Sequence, residues 1–129
     1  MILRDFSHDL PGGDHGGNLV TLCEKPCRDE LHAFWDEVLG KSTSAIASIN
    51  AARKLPQVPA DNGADADVLA WVNEGFTIAK QSVYARPIGE GHGSFMLTDA
   101  YKQSAKQIAE TRAAVAGVRL AKLLNSSLR

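Results

Sequence analysis

Four stretches of the chain place apolar residues at three- and four-residue intervals, the spacing that gathers side chains on one face of an α-helix. The first runs from residue 29 to Gly40, with Asp29 and Glu30 suited to its first turn, Leu31, Phe34, Trp35 and Val38 as its stripe, and Gly40 as its stop. The second covers 42–53 and carries Ile46 and Ile49, until Leu55-Pro56-Gln57-Val58-Pro59 breaks it into an extended linker. The third covers 66–85, where Leu69, Val72, Phe76, Ala79 and Val83 recur before Arg86-Pro87 ends it. The fourth is long: Thr98 or Asp99 offers an N-cap, and Tyr101, Ala105, Ile108, Val115, Leu120 and Leu124 keep one face apolar to near the end. Within it, Ala113-Ala114-Val115-Ala116-Gly117 allows a close helix contact.

The intervening segments read differently. Residues 5–18 are rich in Gly, Asp, His and Pro, which forbids helix and predicts an irregular surface loop. Leu19-Val20-Thr21-Leu22 is a short β-prone run, suited to an edge strand or one arm of a hairpin and too short to found a sheet. Gly89-Glu90-Gly91-His92-Gly93 lacks the preceding strand and the spacing of a phosphate cradle and reads as a flexible connection. The expectation is one all-α domain with at most a short hairpin: loop and short strand over 1–28, helices over 29–129.

Composition adds limits rather than a function. The 129 residues are 44% hydrophobic and 22% charged, ordinary for a globular domain, and the formal net charge is −1. Lys and Arg are spread along the chain, so the electropositive footprint of a duplex-binding module is missing. If the chain handles phosphates, metal ions must supply the positive charge. No stretch approaches the roughly 20 apolar residues of a membrane span, and Met1-Ile2-Leu3-Arg4-Asp5 has no signal-peptide core. Cys23 and Cys27 flank Pro26 at a spacing that fits neither a redox pair nor a zinc knuckle. A small loop disulfide in an oxidising compartment and two free thiols both fit it.

The candidate chemistry lies on the first helix. His32 and Asp36 are four positions apart, so their side chains leave one face a turn apart, close enough to grip one cation. Imidazole nitrogen and carboxylate oxygen suit zinc, which binds them at about 2.0–2.2 Å and takes three protein ligands at a catalytic site, so a third must come from elsewhere. Other residues read as structural. Trp35 shares the apolar stripe and belongs to the core rather than to a base-stacking platform. Glu74 and Arg119 sit within apolar helical faces and suit each other as an ion pair. His8 and His15 fall in the polar loop, where solvent exposure is the ordinary expectation. Gly16 and Gly17 suit a turn that presents Asn18, whose side chain fits either a turn cap or a hydrogen bond to a ligand or phosphate.

Asp14-His15-Gly16-Gly17-Asn18 followed by Leu31-His32-Ala33-Phe34-Trp35-Asp36 resembles the G-G-N and L-H-x-x-W-D signature of the zinc nucleases typified by the mould enzymes S-one and P-one. Trp71-Val72-Asn73-Glu74 with Val83-Tyr84 resembles that family's W-A-x-E segment and the V-Y closing its helix. Ala116-Gly117-Val118-Arg119-Leu120-Ala121 with Leu124-Asn125 resembles its final A-G-x-R-L-A-x-x-L-N helix. Three separated matches occur in the family's order.

The resemblance implies the helical fold that this family shares with the zinc phospholipases C. It also implies a trinuclear zinc cluster that cuts single-stranded DNA and RNA and removes 3′-phosphates from nucleotides, in a secreted or periplasmic protein. His32 and Asp36 would ligate one zinc of that cluster, and Asn18 would approach the substrate. The family's H-x-x-x-D-x-H-Q-P-L-H segment is missing, and Arg4-Asp5-Phe6-Ser7-His8-Asp9-Leu10-Pro11 resembles an insertion that follows it in some bacterial members. Equating Asp5 with that segment's bridging Asp puts Ser7 and Pro11 where histidines belong. The chain thus corresponds to the C-terminal half of a full member, holds two of the three ligands of one site, and is expected to be inactive alone. A non-catalytic helical remnant or interaction module is the alternative, and a zinc phospholipase C relative is another.

Overall fold

In the computed structural model, residues 13–24, 29–59 and 67–128 are described. The expected loop over 4–11, with His8, and the position of Cys27 lie outside them. Four helices account for the described secondary structure: α1 (Leu31–Glu37), α2 (Ala45–Ala52), α3 (Val68–Ile78), continued by a π turn (Ala79–Val83), and α4 (Asp99–Ser127). The all-α expectation holds.

Local chemistry sets most of the boundaries. The Ser44 hydroxyl accepts from Ala47 N at 3.4 Å and starts α2; Asp67 accepts from Leu69 N at 2.9 Å and starts α3. Thr98 Oγ1 accepts from Tyr101 N at 3.2 Å and starts α4. Asp29 and Glu30 precede α1 instead of forming its first turn, because Glu30 is extended (φ −120°, ψ 151°) and makes an antiparallel bridge with Thr21. After α1, the chain leaves through Gly40, whose φ of 104° is open to glycine at little cost.

That single bridge is what becomes of the β-prone run. Thr21 is nevertheless held on its other edge too: its N–H and hydroxyl donate to the His92 carbonyl at 2.8 and 2.9 Å, and its own carbonyl accepts from Phe95 N at 3.0 Å. The glycine-rich stretch expected to be a flexible connection is therefore tied to the β-prone run. A Cβ on Gly93 would collide with the Thr21 carbonyl oxygen, so this approach depends on a glycine there.

α3 departs from the uninterrupted helix read over 66–85. At Ala79 the backbone widens into a π turn, with Tyr84 N donating to the Ala79 carbonyl at 3.1 Å. The Val83 carbonyl accepts from the Tyr101 hydroxyl at 2.6 Å, and Trp35 Nε1 donates to that same hydroxyl at 3.1 Å. One phenol thus joins α1, the end of the π turn and α4. Burial pushes Tyr101 up to about 12, partly offset by the Trp35 bond, so it remains a neutral donor at ordinary pH.

Val20, Leu31, Tyr84, Ile88, Tyr101 and Ala105 form the core, flanked by Leu22, Phe34, Trp35, Val38, Phe76, Ala79, Val83, Phe95 and Leu97. Burying Leu31, 1% exposed, contributes roughly 1.5–3 kcal/mol. Trp35 belongs to this cluster, edge-on to Tyr101, as its place on the stripe predicts. The apolar face of α4 is not covered to its end: Leu120 is 57% and Leu124 50% exposed. Ile46 and Ile49 on α2 and Val68, Leu69 and Val72 on α3 are exposed as well.

Glu74 and Arg119 pair as their positions suggest, at 2.8 Å, and Arg112 closes on the other carboxylate oxygen, also at 2.8 Å. The Arg119 guanidinium lies over the Trp71 ring at 5.0 Å, which adds a cation–π contact between α3 and α4. The Arg112 hydrogen bond, helped by that from Arg119, holds the Glu74 carboxyl below its usual value against the opposing effect of burial. A depressed folded value means that this contribution to stability is present above the unfolded value near 4.5 and is lost as pH falls through the folded one. Glu74→Gln is therefore expected to unfold more easily than wild type at pH 7. Screening at a side chain 39% exposed keeps the difference to roughly 0.5–1 kcal/mol, and urea titrations should show it shrinking as pH falls below about 4.5.

Candidate metal centre

The donor pair sits on the first two turns of α1. His32 Nε2 lies 3.2 Å from Asp36 Oδ2, and the side chains are 47% and 69% exposed, so the pair is open to solvent. Two ligands of one tetrahedral zinc at about 2.0–2.2 Å stand roughly 3.3–3.6 Å apart, so this spacing fits a shared ion after a small adjustment. The donor types fit zinc equally. Among the described residues, no group of three or more His, Cys, Asp or Glu is gathered to hold a metal, so the described part of the chain supplies two donors and no third.

An exposed His and Asp one turn apart is by itself a common surface pair. The other ring nitrogen distinguishes this one. His32 Nδ1 lies 3.1 Å from the Gly16 carbonyl oxygen, which brings the loop over 13–18 against α1. Packing reinforces the contact: Leu31 N donates to Val20 O at 2.9 Å and His32 N to Gly17 O at 3.4 Å.

The loop is not the surface feature its composition predicts. Asp14 is 2% exposed, and its carboxylate accepts from the Tyr84 hydroxyl and from Gly16 N, the latter at 3.0 Å. Its carbonyl accepts from Gly17 N and Leu19 N, both at 3.2 Å. A buried carboxylate is tolerated only when it is paired or hydrogen-bonded in this way. Burial, reinforced by the bond to Asp14, pushes the Tyr84 phenol up, so it stays a donor. The turn needs left-handed backbone at His15, Gly16 and Gly17, with φ of 54°, 72° and 93°.

Asn18 is exposed at the end of this turn, and its Nδ2 donates to the His15 carbonyl at 2.7 Å, a turn-capping contact. His15 is exposed as expected. Cys23 is disulfide-bonded, which decides between the two readings of the cysteines in favour of a disulfide. Asp14 and Tyr84 were missed as site residues. The only signal for either was membership of the D-H-G-G-N and V-Y stretches, since hydrophobic periodicity says nothing about a polar pair 70 positions apart.

Gly17→Ala combines a left-handed φ with a Cβ 3.2 Å from His32 N. It is expected to lower unfolding free energy by roughly 1–3 kcal/mol in urea denaturation, whereas an alanine at Gly75, which meets nothing within 4 Å, leaves the loop intact.

Comparison with known proteins gives one assignment. The family model for the S1/P1 nuclease matches residues 7–129. No curated protein and no solved structure matches the chain.

Proposed function

The chain belongs to the S1/P1 nuclease family, and on that footing we propose that it carries part of a zinc-dependent centre for hydrolysing phosphodiester bonds of single-stranded DNA and RNA and removing 3′-phosphates from nucleotides. The observation that carries the metal reading is the 3.2 Å His32–Asp36 pair whose imidazole is anchored through its other nitrogen. A histidine fixed on one side by a carbonyl presents its free nitrogen to a cation in a set direction. When bound, clustered zinc ions polarise the phosphoryl group and lower the pKa of an attacking water. With a formal net charge of −1, the chain itself brings no excess of positive charge to that task. Asn18, exposed beside the loop that anchors His32, is the proposed substrate contact, with its amide free to turn from the His15 carbonyl toward a phosphate oxygen.

The two donors among the described residues are fewer than the three a catalytic zinc takes, and on that footing this chain alone is read as inactive. An exported location, secreted or periplasmic, agrees with the family and with the Cys23 disulfide. No helix among the described residues is long and apolar enough to cross a membrane.

One observation favours a second reading. The uncovered apolar residues of α2, α3 and the end of α4 suit a helical interaction module that does no chemistry. Zinc titration separates the two. His32→Ala and Asp36→Ala are each expected to weaken uptake of one zinc by at least 100-fold while the fold, followed by circular dichroism, is retained. Wild-type protein that takes up no zinc, alone or when joined to the remaining family ligands, would rule out the metal reading. Activity on phosphatidylcholine but not on single-stranded DNA in the ligand-complete form would point to a phospholipase instead.

A further inference from the structure

A backbone carbonyl can only accept, so the 3.1 Å approach of His32 Nδ1 to the Gly16 oxygen is a hydrogen bond only when Nδ1 carries the proton. In the neutral ring that tautomer turns the Nε2 lone pair toward the Asp36 carboxylate oxygen at 3.2 Å, two acceptors that need a cation or a proton between them, and a shared metal ion would meet that need. Gly16 has no side chain to fix its own orientation, and both of its peptide planes are set by Asp14. The plane before it is held by Gly16 N donating to Asp14 Oδ1 at 3.0 Å. The plane after it, which contains the Gly16 carbonyl, is held by Gly17 N donating to the Asp14 carbonyl at 3.2 Å. The remaining carboxylate oxygen of Asp14 takes the Tyr84 hydroxyl, from a side chain 8% exposed at the end of the π turn.

We infer that Tyr84 is a positioning residue for the metal centre: its hydroxyl orients the Asp14 carboxylate, Asp14 orients the Gly16 carbonyl, and that carbonyl selects the His32 tautomer that binds a cation through Nε2. The inference rests on the zinc reading of His32 and Asp36. It gives the widened end of α3 a purpose, since the π turn delivers the phenol to a loop 70 positions earlier in the chain.

Tyr84→Phe removes the hydroxyl and keeps the ring. Imidazole nitrogen resonances of the metal-free protein report the His32 tautomer, and zinc titration of the same samples reports affinity. The variant is expected to shift neutral His32 from the Nδ1–H form toward the Nε2–H form and to bind zinc about 10–100-fold more weakly. Thr77→Val removes a hydroxyl bonded within α3, to the Asn73 carbonyl at 2.9 Å and away from the loop and α1, and it should move neither readout. Asp14→Asn leaves one side-chain oxygen for two donors; it should move both readouts as Tyr84→Phe does, and it serves as the test if Tyr84→Phe does not fold. An unchanged tautomer in a folded variant, or wild-type zinc affinity, overturns the inference. A tautomer shift in a protein whose wild type takes up no zinc sinks the zinc assignment while upholding the positioning of His32 by Tyr84.

Discussion

A carboxylate that is 2% exposed has to find its hydrogen bonds inside the protein, and Asp14 finds them in two places that are far apart in sequence. One is its own turn, through Gly16 N; the other is the Tyr84 hydroxyl at the far end of α3. Leaving either oxygen unpaired would cost about 1–3 kcal/mol, a large share of the stability of a domain this size. The pairing therefore fixes where the glycine loop lies. The loop in turn contacts α1 through Gly16 and Gly17, and α1 carries the donor pair. Core packing completes the frame, with Leu31 against Val20 and Tyr84, and with Tyr101 joining α1, the π turn and α4.

Much of the helical frame was legible because it is local. Thr98 caps α4 as its position before the apolar run suggests, whereas the close contact read from Ala113-Ala114-Val115-Ala116-Gly117 does not form at Gly117, which is exposed and meets nothing within 4 Å of an added Cβ. The Glu74–Arg119 pair was legible from two charged residues placed on apolar faces; Arg112 was not, because nothing in its neighbourhood marks it as different from a solvated helix cation. The break of α3 into a π turn was hidden for a related reason. Apolar spacing at Phe76, Ala79 and Val83 is compatible with a regular helix, and only the distant demands of Tyr84 and Tyr101 reveal the wider turn.

The site shows the same division. His32 and Asp36 follow from four-residue spacing on a helix, while the interactions that separate them from an ordinary surface pair run through a loop whose composition reads as solvent-exposed. Glycine-rich polar sequence usually lies at the surface. Here, Gly16 and Gly17 supply left-handed backbone that lets a carbonyl approach an imidazole, and the one acidic side chain among them is turned inward. The family match over residues 7–129 agrees with the motifs in which these residues stand.

Anomalous scattering at the zinc edge, from crystals of this chain grown with zinc, tests the central claim most directly. The account predicts a peak bonded to His32 Nε2 and an Asp36 carboxylate oxygen, with His32 Nδ1 still on the Gly16 carbonyl. Zinc bound only elsewhere, for instance at His15 or His92, or a His32 ring turned away from Gly16 when the ion is present, would contradict it.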